Sequence, residues 1–508
     1  MAAVRGLWIF LALILVKLSS SSAPTPEDCT AEMFGNSSTA LWACRTQLAL
    51  QRNWFPSPIA GLFSYQVWNG FDGFWQNGAV LETFANFMHY GNHTRYKTCL
   101  KSSLRQLSDL LLAYAPAPSY DDMAWFALSY LRIYEVLGDE DFLSLAKQIH
   151  DWNYQYGWDQ TGTCGGGYWF YDKKTTITNV QMLVLSAKLY RHTNDTSFLK
   201  NMTMTWKYIQ QNGLIDPETF QVSNIATYSC TGNRDFNKTF NSGVLVGGLV
   251  EMYHILNDTS YLQLAHRVAQ VSNIATYSCT GNRDFNKTFN SGVLVGGLVE
   301  MYHILNDSSY LQLAHRVAQA TIFYNSQGGV LTERCWPECD KDEYVYKGDT
   351  KVNALSLFVR YLRYLMDVSD DITKKAYSDW LDGNIKSVVA KALCWPEKTS
   401  CNITYQDGPS LNNKTGPVFT LDWRGPFNVS NPMVNKQVQA EVFDLLVANI
   451  EPGATCRGAG CTYDPPVPPP RHLTCKDKPC PAGQPCCEYQ NYYTCCESTQ
   501  KCIKGVCT

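Results

Sequence analysis

Apolar residues between about residue 28 and residue 450 recur at helical rather than strand spacing. After an Asp pair at 121–122, the buried stripe consists of Met123, Phe126, Ala127, Tyr130, Ile133, Tyr134 and Leu137, at i, i+3, i+4 and i+7 spacing. Gly, Pro or Asn residues interrupt most of the apolar segments, and sustained alternation of period two is scarce. The pattern predicts a mostly helical domain with helices at 38–53, 76–90, 94–114, 121–137, 140–155, 178–192, 195–212, 239–256, 259–270, 288–305, 308–325, 350–367, 370–393 and 433–449.

One stretch of this helical region occurs twice. Residues 222–270 recur as residues 271–319, and the copies differ only where Thr259 becomes Ser308. Near-identity fits a recent duplication, or an error of sequence assembly, better than a solenoid of diverged repeats. Each copy encodes one helical hairpin, and without one of them the remaining helices form six pairs. We therefore expect a ring of six hairpins in which one copy is displaced or poorly packed.

The two ends of the chain differ from the helical region in composition. Residues 1–23 have the basic, apolar and small-residue order of a secretory signal peptide. The predicted helical domain then covers residues 24–450, followed by a Pro-rich linker at 451–474 and a Cys-rich module at 475–508. That module is too short for a hydrophobic core, so disulfide bonds must stabilise it, with the connectivity left open. Its paired Cys-Cys steps resemble a shortened half of a granulin-type module. That resemblance implies a binding or stabilising appendage, for which we expect contact with glycan or cell wall.

Composition narrows the class of function. Twenty cysteines and several Asn-x-Ser/Thr sequons, Asn36 and Asn92 among them, are typical of a secreted glycoprotein with disulfide bonds. A net charge of −3 indicates no basic surface for binding nucleic acid. No run of about 18 apolar residues follows the signal, so we expect no transmembrane segment. The Gly-rich stretch at 164–167 lacks the Lys-Ser/Thr of a phosphate loop, and no metal-ligand spacing is evident. We therefore expect a neutral partner and neither a metal nor an organic cofactor.

The candidate chemistry centres on the adjacent carboxylates Asp121 and Asp122 at a predicted helix start. A helix N-terminus favours carboxylates, so the pair is explained either as a cap or as an active-site pair. Trp75, Gln76 and Trp169 belong to aromatic and amide-bearing stretches. Such residues suit sugars, whose ring faces stack on aromatic rings and whose hydroxyls need fixed donors and acceptors.

An ordered set of motifs spans roughly residues 40–450. It comprises Trp75-Gln76-x-Gly78, Asp121-Asp122-x-Ala-Trp125, Trp158-Asp159 with Cys164-Gly-Gly-Gly167, Ile177-Thr178-Asn179, Thr-Phe-Asn-x-Gly at 239–243 and 288–292, Tyr346-Lys347-Gly348, Phe358-Val-Arg-Tyr361 and Trp423-x-Gly425-Pro426. In these motifs the chain resembles glycoside hydrolase family 76, the endo-acting α-1,6-mannanases. The resemblance implies an all-α fold, an (α/α)6 barrel of helical hairpins, joined here to the small C-terminal disulfide-rich module.

The resemblance also assigns roles. It implies a retaining mechanism with Asp121 as nucleophile and Asp122 as general acid/base. Neighbouring residues can bring carboxyl groups to the separation of about 5–5.5 Å that retention needs, and their repulsion should raise one pKa. The implied substrate-binding residues are Trp75, Gln76, Trp125, Asp159, Gly166, Trp169, Asn179 and, at one duplicated position, Asn241 and Asn290. An insertion at 349–357 departs from the family pattern.

The predicted function is a secreted glycosidase that hydrolyses α-1,6-mannosidic bonds in the backbone of α-mannan or a related neutral polysaccharide. Two alternatives remain open at this point. One is a transglycosidase of the same family, in which a sugar hydroxyl replaces water. The other is a glycan-binding protein without turnover, because one fold can host several functions.

Overall fold

The structure is a computed structural model. It describes residues 29–35, 37–54, 74–102, 104, 108, 120–236, 238, 240–277, 288–332, 354–395, 416–426, 436–458 and 461, together with four short C-terminal strands. The predicted signal peptide, the greater part of the Pro-rich linker, the motif at 346–348 and most of the insertion at 349–357 lie outside the described residues.

Helices dominate the described part of the chain. They are α1 (Ser38–Trp54), α2 (Phe74–Tyr90), α3 (Lys97–Ser102), α4 (Tyr120–Leu137), α5 (Glu140–Trp152), α6 (Thr176–Thr193), α7 (Thr196–Gln211), α8 (Phe240–Leu256), α9 (Thr259–Tyr277), α10 (Thr288–Leu305), α11 (Ser308–Asn325), α12 (Ala354–Asp367), α13 (Asp371–Ser387) and α14 (Lys436–Ala448). Single π-helical turns extend α5 through Asn153–Gly157 and α13 through Val388–Ala392. The predicted all-α fold is confirmed.

Every second helix belongs to an inner ring. In the described residues the ring runs through α2, α4, α6, α8, α10, α12 and α14, and α14 contacts α2 to close it. The intervening helices pack outside as the partners of the hairpins. The α/α-barrel prediction is therefore confirmed in class, but the expectation of a displaced copy is wrong, because α8 and α10 both lie in the ring between α6 and α12.

A glycine in the first turn of an inner helix explains why both copies fit. A Cβ atom at Gly243 would lie 2.9 Å from the backbone N of Leu294, and one at Gly292 would lie 2.9 Å from the backbone N of Phe358. Because the two copies share this glycine, each can pack closely against whichever inner helix follows it. Gly78 approaches Phe126 in the same way at the contact of α2 with α4.

Buried charge closes the ring. The Arg360 guanidinium on α12 donates to Asp444 on α14 at 2.7 Å, to Thr83 on α2 at 2.9 Å and to Glu82 on α2 at 3.1 Å. Thr83 also donates to Asp444, at 2.9 Å. Burial raises the pKa of the Asp444 carboxyl, although Arg360 opposes the rise. These bonds fix three helices at the seam where the end of the domain meets its start.

Identical sequence adopts two structures in the two copies. Ile225–Ala226 form strand β2, which pairs antiparallel with β1 (Lys174–Thr175). The corresponding residues of the second copy, within 271–277, continue helix α9 instead, beyond the predicted end of that helix at residue 270. In the described residues, β1 lies beside the first copy and pairs with it, so tertiary pairing overrides local preference there.

Short hairpins and disulfides complete the described structure. β3 (Ser326–Gln327) pairs with β4 (Val330–Leu331), β5 (Leu393–Cys394) with β6 (Val418–Phe419), β7 (Cys486–Tyr489) with β8 (Tyr492–Cys495), and β9 (Cys502–Ile503) with β10 (Val506–Cys507). The disulfides predicted from composition include Cys29–Cys44, Cys164–Cys230 and Cys456–Cys461. Within the described ranges, every helix is too short or too polar to cross a bilayer.

Candidate active site

The Asp pair lies in the first turn of α4, on the wall of a cavity of about 870 Å³ inside the ring. Asp121 and Asp122 are each only 8% exposed. Two contacts fix this helix start. The Asn153 amide donates to the Tyr120 carbonyl at 3.0 Å, and Gly157 lies so close to the Tyr120 ring that a Cβ atom there would be 2.7 Å away. A solvated helix cap would not need to be enclosed in this way.

Two tryptophans and two amides surround the carboxylates. The rings of Trp75 and Trp125 lie 5.3 Å apart between centroids, and both line the cavity. With its amide oriented to satisfy both neighbours, Gln181 donates to the Asp121 carbonyl at 3.3 Å and accepts from the Trp125 indole N–H at 3.1 Å. Gln76 is 3% exposed, and its Oε1 atom has no hydrogen-bond partner within the described residues. An unpaired buried acceptor beside a cavity is unusual, and it makes Gln76 a candidate for contact with a ligand hydroxyl.

A strained turn adds an aromatic residue that the sequence analysis missed. Phe170 and Lys173 exchange backbone hydrogen bonds of 2.6 and 2.9 Å, which closes a tight turn with Tyr171 at φ +52°. Tyr171 is 48% exposed and lines the cavity beside Phe170. A bulky residue at positive φ is costly, and such strain is concentrated at functional sites. In the sequence, Tyr171-Asp172 directly after the Gly-rich aromatic stretch was the available signal.

Lys174 organises the Gly-rich loop behind the cavity wall. Its Nζ atom donates to Asp159 Oδ2, to the Thr163 carbonyl and to the Gly166 carbonyl, each at 2.6 Å, and lies 4.6 Å from the centroid of the Trp169 ring. Burial tends to raise the pKa of the Asp159 carboxyl, but hydrogen bonds from Lys174 and from Thr161 outweigh burial and lower that pKa. These contacts favour a supporting role for the loop.

Asn179 also supports this loop. It accepts from the backbone N–H of Tyr168 at 2.9 Å and donates to the Thr175 carbonyl at 2.8 Å. Among the described residues, the cavity wall includes Trp75, Gln76, Asp121, Asp122, Trp125 and Asn290 from the predicted site, but not Asp159, Gly166, Trp169, Asn179 or Asn241. The substrate-binding roles of this second group remain predictions.

The two candidates for one duplicated position occupy different places. Asn290 lines the cavity and is 3% exposed, whereas Asn241 is fully buried and donates to Asn224 Oδ1 at 3.4 Å. The preceding residue is phenylalanine in both copies. Phe240 and Phe289 both line the cavity, and their ring centroids lie 5.2 Å apart. The second copy thus presents the asparagine, and both copies present the aromatic ring.

Charged residues lie on the wall at the other end of the inner helices, and sequence reasoning missed them. They are Glu82, Arg132, Glu135, Lys188, Glu251, Glu300 and Asp367. The available signal was a single charge within an otherwise apolar helix, as for Glu251 and Glu300 in the two copies of Leu-Val-Glu-Met.

Comparison with known proteins identifies the family. The family described as "Glycosyl hydrolase family 76" matches residues 51–282 and again residues 271–423. These spans together cover well over half of the chain. The chain belongs to glycosyl hydrolase family 76. The predicted resemblance is thus confirmed, and the two spans overlap inside the duplication.

Curated relatives of this family 76 chain are distant. It is 27% identical over 209 residues to a putative mannan endo-1,6-alpha-mannosidase of Schizosaccharomyces pombe, covering 37% of this chain and 47% of that protein. It is 26% identical over 134 residues to mannan endo-1,6-alpha-mannosidase DFG5 of Saccharomyces cerevisiae, covering 24% of this chain and 29% of that protein. The chain thus spans less than half the length of these curated relatives.

Solved structures of family 76 enzymes are distant as well. The GH76A alpha-1,6-mannanase from Salegentibacter sp. HEL1_6 is 16% identical, covers 81% of this chain and all of its own, and has a TM-score of 0.48. An inactive variant of that enzyme, in complex with alpha-1,6-mannotetrose, has 17% identity, 81% and 98% coverage and a TM-score of 0.49.

Proposed function

We propose that this family 76 chain is a secreted retaining glycosidase that hydrolyses α-1,6-mannosidic bonds within the backbone of a mannan. The observation that carries the proposal is the enclosed carboxylate pair. Asp121 and Asp122 line a large cavity together with the Trp75–Trp125 pair and with Gln76, whose buried Oε1 atom has no partner in the described residues. Glycoside hydrolysis requires a pair of carboxyl groups, and aromatic rings and a buried amide suit the binding of a sugar beside them.

The proposed mechanism has two steps. In the first step, the Asp121 carboxylate attacks the anomeric carbon while the Asp122 carboxyl protonates the departing glycosidic oxygen, which leaves a glycosyl ester on Asp121. In the second step, the Asp122 carboxylate removes a proton from water, and the resulting attack at the anomeric carbon frees Asp121 with overall retention. Gln181 supports the pair through its bond to the Asp121 carbonyl and orients Trp125.

The names of the relatives support the choice of bond. The matched yeast proteins carry the name mannan endo-1,6-alpha-mannosidase, and the N-terminal sequence has the order of a secretory signal. Transfer to a sugar hydroxyl uses the same first step, so products longer than the starting oligosaccharide would identify a transglycosidase.

The test is hydrolysis of linear α-1,6-mannan by wild type and by Asp121→Asn, Asp122→Asn and Asp141→Asn. Asp141 is an exposed residue at the start of α5 and serves as the matched control. We expect the first two variants to lose about a thousandfold or more in kcat/KM and the third to equal wild type. NMR of the first product should show the α-anomer. No cleavage by wild type would overturn the proposal, and an active Asp121→Asn would overturn the role of Asp121.

A further inference from the structure

The cavity extends along the axis of the ring well beyond the Asp pair. Its wall includes both Gln76 and Tyr90 on α2, and both Asp122 and Glu135 on α4. At about 1.5 Å per helical residue, these pairs lie about 20 Å apart along the axis. We call the part between the two ends the axial bore.

The duplicated hairpin explains why the bore is open. A Cβ atom at Gly296 would lie 2.4 Å from the Tyr361 ring, whereas one at Gly247 would meet no heavy atom of the described residues within 4 Å. Gly243 contacts Leu294 on α10 in the same way as Gly292 contacts Phe358 on α12. Three residues further along each partner helix, Gly297 therefore occupies the position that is equivalent to Tyr361. The second copy therefore brings a glycine to the position from which a tyrosine ring would cover Gly247, and the bore is wider there.

The far end of the bore forms a polar chamber. We define this far chamber by Glu82, Arg132, Glu135, Lys188, Glu251, Glu300, Tyr361 and Tyr364, all of which line the cavity.

Most of the charged groups of the far chamber are fixed by partners. Tyr364 donates to Glu82 at 2.7 Å. Arg191 donates to Glu251 at 2.8 Å, and the Lys188 ammonium lies 3.5 Å from Glu251. Burial lowers the pKa of Lys188, but the carboxylates of Glu251, Glu135 and Glu300 outweigh burial and raise that pKa.

These contacts indicate the chemistry of the ligand. The four carboxylates of the far chamber face the cations Arg132 and Lys188 within it, and Arg360 and Arg191 pair with Glu82 and Glu251 from outside it. Little net charge is therefore left to select a simple cation or anion. An apolar ligand would strip water from charged groups without replacing their hydrogen bonds, which costs free energy. A neutral polyol offers both donors and acceptors to such groups, and the aromatic side chains of Tyr361 and Tyr364 on the wall suit contact with a pyranose ring.

We propose that the far chamber is a second saccharide site, and that an unbranched neutral oligosaccharide bound at the Asp pair continues through the axial bore into it. The proposal deepens the proposed function and rests on it. One substrate would then occupy the Asp pair and the far chamber together, so affinity should grow with chain length.

Calorimetric titration with α-1,6-mannobiose and α-1,6-mannotetraose tests this inference. The background is Asp121→Asn, so that ligand is not consumed. Gly247→Leu places a side chain in the bore, and Gly383→Leu on the exposed face of α13 is its matched control. Both substitutions replace a helical glycine by a better helix former, so both variants should unfold at or above the temperature of the background protein.

We expect Gly247→Leu to weaken mannotetraose binding about tenfold or more and to leave mannobiose binding unchanged, while Gly383→Leu changes neither. Glu300→Gln, which keeps side-chain volume and removes one charge in the chamber, should also weaken only the tetraose. Equal tetraose affinity in all variants would overturn the second site while leaving the proposed function intact. If wild type neither cleaves mannan nor binds either sugar, the proposed function fails first.

Discussion

Lys174 Nζ lies 2.6 Å from Asp159 Oδ2, and both residues are more than 90% buried. Removing one partner of a buried ion pair leaves an uncompensated charge and typically costs about 3–5 kcal/mol. We predict that Lys174→Met lowers the free energy of unfolding by an amount in this range and that Lys174→Met/Asp159→Leu recovers part of the loss. Urea unfolding measures both. The control is Lys375→Met, because Lys375 and Asp379 are 73% and 65% exposed; a loss equal to that control would contradict the prediction.

Tyr171 combines a strained backbone with a position on the cavity wall. Asn tolerates positive φ better than Tyr, so Tyr171→Asn should keep or slightly raise the unfolding temperature. Loss of the aromatic face should raise KM for mannan about fivefold to tenfold, on the scale of one stacking contact. Tyr228→Asn, at a residue that is 84% exposed, is the control. Unchanged KM in the Tyr171 variant would remove this residue from the substrate path.

Glu135 gives the far chamber a sensitivity to acid. Burial tends to raise the pKa of its carboxyl, but His192, Lys188 and Arg132 outweigh burial and lower that pKa to about 2, against an ordinary value of 4.5. The charged form is therefore favoured by folding. Its contribution is complete above about pH 5 and is lost as the pH falls toward 2.

Since the carboxyl is partly solvated, we expect this contribution to be on the order of 1–2 kcal/mol. Glu135→Gln should be less stable than wild type at pH 7 and should lose less stability between pH 5 and pH 2. Chemical unfolding across this range measures the slope, with the exposed Glu218→Gln as control. Parallel curves for wild type and Glu135→Gln would contradict the assignment.

Either copy of the duplicated segment can be deleted without leaving extra residues at the junction. Deleting residues 271–319 joins Gln270 to Ala320 and leaves one complete copy. We predict a cooperatively folded chain with a smaller denaturant m value, because less surface is exposed on unfolding. Gly243 would then meet Phe358 as Gly292 does now, and Tyr361 would close the axis over Gly247.

A second deletion provides the matched control. Removing residues 222–270 leaves the same chain except for Ser in place of Thr259. Both deletion variants should therefore have the same unfolding midpoint and the same loss of mannotetraose affinity. Aggregation of both would show that the ring requires the extra hairpin.

Helical periodicity predicted most of the ring, because inner helices bury an apolar face that repeats regularly. It could not predict how many of the hairpins belong to the ring, which depends on whether Gly243 accepts Leu294 as a neighbour. The helix end at Tyr277 was missed for a related reason, since the same residues form β2 in the first copy. The Asp pair and Trp75 were predicted because they lie in short stretches where carboxylate, amide and aromatic residues are close together in the sequence. The far chamber was not, because its charges are spread over five inner helices with at most two on any one of them.

The first-turn glycine contact has an evolutionary consequence. A hairpin that can pack against a copy of itself through this glycine can be inserted in a single genetic event, because no new complementary surface is needed. A ring built on this contact can therefore change its diameter in one step, and a new internal compartment becomes available to selection before any side chain has changed.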